Sequence, residues 1–128
     1  MPYVPGAEAL NLPGVTIDEV RRQFGPPPWR QPIVGSAALR VVLLAWEPGY
    51  RSIPHVHPRA EEVFHVLEGR AAFQIGDGES WIAEPGTVLL APRATWHTIR
   101  VIGDEPLVML IALAPNEDAE DETIERPR

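Results

Sequence analysis

Residues 54–69 read PHVHPRAEEVFHVLEG. Side chains alternate across a strand, so His55 and His57, two apart in a stretch of strand character, share a face and can share an ion. Pro58 marks a turn. The run that follows puts Glu62, Phe64 and Val66 on one face and Val63, His65 and Leu67 on the other. A hairpin folding back across that turn brings Glu62 to the two imidazoles. With Glu62 as a ligand, Phe64 lines the same cavity, whereas Glu61 and His65 face away.

Outward from this stretch the chain keeps a short-strand rhythm. Apolar or alternating runs cover residues 38–46, 53–57, 62–67, 70–75, 79–83, 87–91, 96–101 and 107–114, separated by turn signals at Glu68-Gly69, Gly76-Asp77-Gly78, Glu84-Pro85-Gly86 and Gly103-Asp104. Eight such strands predict an all-β sandwich or barrel. Upstream, Thr16 and Glu19 form a capping box before Ile17, Val20 and Phe24, which predicts a short helix over residues 16–24. Gly25-Pro-Pro-Pro-Trp-Arg-Gln-Pro32 then forbids helix and suits an extended connector or an edge segment. The expected organisation is an N-terminal helix and extended segment (1–37), a barrel (38–115) and an acidic tail (116–128). That tail carries six acids against two arginines and reads as solvated or loosely docked.

The second histidine cluster, APRATWHTIRV, places His97 after a turn marked by Pro92. Strand alternation turns Thr95 and Ile99 inward with it and Trp96 outward. His55, His57, Glu62 and His97 then make a nitrogen and oxygen donor set for one borderline divalent ion, with one or two positions left for water, oxygen or substrate. A His-X-His pair alone also arises without any metal, so the surrounding spacing carries the weight.

That spacing is informative. Gly49, His55, His57, Glu62 and Gly69 are separated by five, one, four and six residues, and Gly86 is followed after five residues by Pro92 and then by His97. The first set resembles the complete first motif of the cupins, and the second resembles their second motif with Ala94 where a Gly is usual and Val101 where an Asn is usual. The chain is similar, over residues 38–114, to the small single-domain cupins of bacteria. The resemblance implies a double-stranded β-helix or jelly roll, in agreement with the strand reading. It also implies one Mn, Fe, Ni or Zn ion per chain on those four ligands, and a small-molecule ligand beside the ion. The family holds dioxygenases, isomerases and decarboxylases as well as binding proteins that catalyse nothing, so fold alone does not choose among them. Two readings stand: a metalloenzyme acting on a small oxygenated organic molecule, and a non-catalytic binder of a sugar or organic acid. Single-domain relatives of this type commonly pair through a sheet face or by exchanging an N-terminal strand, for which residues 25–31 are suited, which implies a homodimer with outward residues such as Val63 and Leu67 between subunits.

Composition narrows the chemistry. The chain has 128 residues, no cysteine and no lysine, which removes thiolates, sulfur ligands and lysine Schiff bases. Its formal charge of −7 disfavours a nucleic-acid partner. The longest apolar run, residues 107–114, is too short to span a bilayer, and the N-terminus has no secretory pattern, so a cytoplasmic location is expected. Beyond the ligands no catalytic side chain is identifiable. Arg51, by strand parity with His55, is the candidate to meet an anionic substrate; with Phe64, Thr95 and Ile99 it completes the expected lining.

Overall fold

In the computed structural model, which describes residues 8–116 and 124–125, ten strands form two five-stranded antiparallel sheets packed face to face. Helix α1 spans Ile17–Arg21. The strands are β1 (Trp29–Gly35), β2 (Arg40–Trp46), β3 (His55–Val56), β4 (Glu61–Glu68), β5 (Arg70–Ile75), β6 (Trp81–Ala83), β7 (Val88–Ala91), β8 (His97–Ile102), β9 (Leu107–Ala114) and β10 (Ile124–Glu125). One sheet runs β1-β2-β9-β4-β7 and the other β10-β3-β8-β5-β6, the double-stranded β-helix expected from the strand pattern.

The inner faces supply the core. Leu44, Phe64, Val66, Phe73, Ile99, Val101, Leu107, Met109 and Ile111 interlock between the sheets. Strands β2 and β9 are apolar on both faces because their outer residues are covered as well. Leu43, Ala45 and Val108 pack against Val20 of α1 and Trp29, with Leu10, Val15, Phe24 and Leu67 around them. Leu67 is therefore covered by the chain's own N-terminal segment.

The helix forms as its capping box predicts. The Thr16 side chain accepts from the Glu19 backbone N–H, and the Glu19 carboxylate accepts from Thr16 N–H. It is shorter than expected, ending at Arg21, and the chain then turns to stack Phe24 on Trp29 at 4.6 Å between ring centroids. Arg21 clamps Glu68 at the end of β4 through two hydrogen bonds of 2.7 and 2.9 Å. The Arg21 guanidinium holds the Glu68 carboxyl below its ordinary pKa. A carboxyl lowered on folding adds stability above its unfolded pKa and loses it as pH falls through the folded value. Glu68→Gln should thus cost about 0.5–1 kcal/mol at pH 7, a difference that fades in thermal melts as pH falls through the carboxylate range.

Two strands exceed the eight expected. Trp29–Gly35 forms β1 despite Pro32, because it is an edge strand and its register shifts between Pro32 and Val34, where a missing N–H breaks no ladder. The tail expected to be solvated or loosely docked contributes β10; residues 117–123 and 126–128 lie outside the described residues.

Candidate metal centre

Four side chains from two sheets meet at one point. His55 on β3 lies directly opposite His97 on β8, and Glu62 projects inward from β4 of the facing sheet. His57 lies just beyond β3, on the turn that leads to β4. The backbone joins the two ligand-bearing turns, for Ala94 N–H donates to His57 O at 2.8 Å. One donor atom from each of the four residues lies within 4.8 Å of all the others. Ring centroids of His55 and His97 are 4.1 Å apart, and those of His57 and His97 5.6 Å. His57, Glu62 and His97 are buried, and His55 is half-buried.

Local bonds aim the imidazoles. His55 Nδ1 donates to Ile53 O at 2.9 Å and His97 Nδ1 to Thr95 O at 3.2 Å, in each case the carbonyl two residues upstream. A carbonyl only accepts, so each Nδ1 carries a proton and each ring turns its Nε2 to the centre. Burial, and then the neighbouring His97, lowers the His55 pKa below its ordinary 6.5, which keeps that ring neutral at pH 7. Burial raises the Glu62 pKa, but the adjoining His57 and His97 rings outweigh it and hold the carboxyl at about 2. The site therefore sets one ionised carboxylate among three imidazoles.

The donors fit a cation better than they fit one another. Glu62 Oε1 lies 3.3 Å from His57 Nε2 and 3.1 Å from His97 Nε2. Both Glu62 Oε1 and His97 Nε2 are buried without a hydrogen-bond partner, a condition that costs about 1–3 kcal/mol per group. Two donors each about 2.1 Å from a shared ion are roughly 3.0 Å apart at right angles and 3.4 Å in a tetrahedron. The observed separations fall in that interval.

Around the donors, Phe64 packs edge-on to His97 at 5.7 Å, and Ile99 is 1% exposed in the core below. Thr95 lies on the turn before β8, its hydroxyl donating to Arg93 O, and what it gives the site is its backbone carbonyl. Arg51 does not join the centre. It is exposed and pairs with Arg100, on the face opposite buried Ile99 and Val101. Parity with His55 fails because Arg51 pairs with Arg100 while His55 pairs with His97, so three residues on one strand oppose two on the other. His65 stands outward between Val88 and Leu110. Of the tryptophans, Trp29 is buried, Trp46 packs on Tyr50 at 4.6 Å, and Trp81 is 61% exposed.

The departure at Ala94 has a visible cost. It adopts φ +59, a left-handed conformation that glycine takes without a Cβ penalty. Ala94→Gly should raise stability by about 0.5–1 kcal/mol in denaturant unfolding, with the ligand geometry unchanged.

Comparison with known proteins agrees with this architecture. The family model for the cupin domain matches residues 42–113. A Streptomyces cyaneus protein named polyketide synthase CurC is 34% identical over 82 residues, 64% of this chain and 53% of that protein. The gentisate 1,2-dioxygenase of a Ralstonia species is 32% identical over 68 residues, 53% of this chain and 18% of that enzyme. The chain thus spans about half the length of the first of these relatives and a fifth of the second. Among solved structures, an uncharacterized conserved Klebsiella pneumoniae protein with a double-stranded β-helix domain is similar in fold. Its TM-score is 0.75 over 91% of this chain and 99% of that one, at 22% identity.

Proposed function

Because the chain belongs to the cupin family, we propose that His55, His57, Glu62 and His97 hold one divalent ion and that the protein acts through it on a small oxygenated organic molecule. The observation carrying this reading is the convergence of four donors within 4.8 Å, with Glu62 Oε1 and His97 Nε2 buried and lacking hydrogen-bond partners. Mn, Fe, Ni or Zn suits three imidazoles and a carboxylate. Such an ion, when bound, polarises a coordinated oxygen function or lowers the pKa of coordinated water.

The chain's own residues set the conditions for that chemistry. The carbonyls of Ile53 and Thr95 keep the Nδ1 protons of His55 and His97, so those rings act as ligands and do not shuttle protons through Nδ1. Glu62 stays ionised throughout the neutral range. Phe64 beside His97 excludes water from one side and offers an apolar wall to a substrate. The relatives named for a polyketide synthase and a gentisate dioxygenase support diketones and hydroxylated aromatic acids as substrates and dioxygenase chemistry first, with keto acids and isomerase or decarboxylase chemistry the further candidates the family offers.

The test is turnover. Metal-loaded protein is incubated with these compounds while oxygen uptake and products are followed, and Glu62→Ala is expected to abolish conversion. Ligand-dependent thermal stabilisation with no product from any of them would favour the binding module instead. A second copy of the chain as partner is supported by Val63, Val88 and Leu90, which are 36, 61 and 48% exposed around the β4–β7 pairing. Light scattering should give twice the chain mass, returning to one chain in Val88→Glu; a monomeric wild type would contradict this pairing.

A further inference from the structure

The centre's weakest point is β3, the strand that carries His55. It has two residues, and its ladder to β8 consists of the single pair His55↔His97. Firm anchors lie to either side. Below, Ser52 N–H donates to Ile99 O at 2.9 Å and Ile99 N–H to Ser52 Oγ at 2.8 Å; above, Ala94 N–H reaches His57 O at 2.8 Å. Between them, the extra residue that separates the Arg51↔Arg100 and His55↔His97 pairs interrupts the ladder, and bulges weaken pairing where they occur. The bond from His55 Nδ1 to Ile53 O is internal to this segment and moves with it, so it aims the ring without tying the strand down. His55 is also the least buried of the four ligands.

What ties β3 on its other side is β10. The C-terminal strand pairs antiparallel with it, Ile124↔Val56 and Glu125↔His55, giving β3 more backbone partners than β8 does. We infer that β10 is a positioning element of the centre: its backbone pairing holds His55 in register for the ion. The inference rests on the metal reading above. Groups that only orient metal ligands are worth 10–100-fold in affinity, and strand pairing is such a restraint on His55. Reciprocity requires that the ion, in turn, stabilise the docked strand.

Paired residues in an antiparallel ladder alternate between hydrogen-bonded and non-bonded sites. Proline is therefore placed at each position, Ile124→Pro and Glu125→Pro in the full chain, so that at least one removes a ladder bond. Glu125→Gln controls for charge. Two quantities are measured: amide exchange of residues 53–57 in chelator-treated protein, and Zn2+ affinity by competition with a chromophoric chelator.

The expected result is faster exchange and about tenfold weaker Zn2+ binding in at least one proline variant, with Glu125→Gln like wild type and the melting temperature of the metal-free barrel nearly unchanged. Exchange or affinity unaltered in both proline variants overturns the inference, as does a loss in Glu125→Gln equal to that in Glu125→Pro, which would make charge the cause. Failure of the wild type to bind Zn2+ would instead overturn the metal reading itself, and the two failures are separable.

Discussion

Glu62→Gln is expected to weaken divalent metal binding by more than about 100-fold while leaving a folded barrel. Groups that merely orient metal ligands account for 10–100-fold, and Glu62 is a proposed ligand and the one anion of the set. Its Oε1 stands 3.1 Å from His97 Nε2 and 3.3 Å from His57 Nε2, so no other side chain can take its place between them. Glutamine keeps the volume and loses the charge, so the pairing of position 62 with Leu113 across the ladder need not change. Metal competition against a chelator reads the affinity, and circular dichroism reads the fold. A folded Gln variant whose affinity stays within about threefold of wild type would mean that the carboxylate is not a ligand.

The second large effect concerns the chain end of the same motif. Gly69 has φ +77, and a Cβ built there would run into Pro106 O and approach Leu107 Cα to 3.0 Å. The obstruction is backbone at the start of central strand β9, which cannot swing aside as a side chain would. Left-handed strain of about 1–2 kcal/mol adds to an overpacking cost of about 1–3 kcal/mol. Gly69→Ala should therefore lose about 2–5 kcal/mol, a fall of roughly 6–20 °C in melting temperature. Gly49 offers the comparison, since it has a similar φ of +83 but nothing within 4 Å of an added Cβ. Gly49→Ala should cost only the strain, about 1 kcal/mol. Equal losses at the two sites would show that the contact with Pro106 carries no weight.

Most of the fold was legible because its strands obey local rules. Arg70–Ile75 and Leu107–Ala114 have the bounds their apolar runs predict, and Glu62, Phe64 and Val66 alternate with Val63, His65 and Leu67 in burial as they do in sequence. What escaped depends on long-range partners. Nothing local in an acidic, proline-flanked tail announces that Ile124–Glu125 will pair with β3. Residues 25–32 read equally as an extended connector or an edge segment until β2 is beside Trp29–Gly35 to show an edge strand with a bulge after Pro32.

The four donors were readable because the spacings of Gly49, His55, His57, Glu62 and Gly69, and of Gly86, Pro92 and His97, resemble the two cupin motifs, where a His-X-His pair alone would have decided nothing. The lining was less so. One extra residue between Arg51 and His55, invisible without the partner strand, reverses parity and turns Arg51 to the outer face. Thr95 falls on a turn just before β8, where alternation no longer applies, and its carbonyl takes part where its side chain was expected.

The central claim is that these four residues bind a metal. Elemental analysis of untagged protein, beside a His55→Ala/His57→Ala variant purified in parallel, tests it most directly. About one divalent ion per chain in the wild type and none in the variant is the predicted result; no ion in either, or equal content in both, would contradict it.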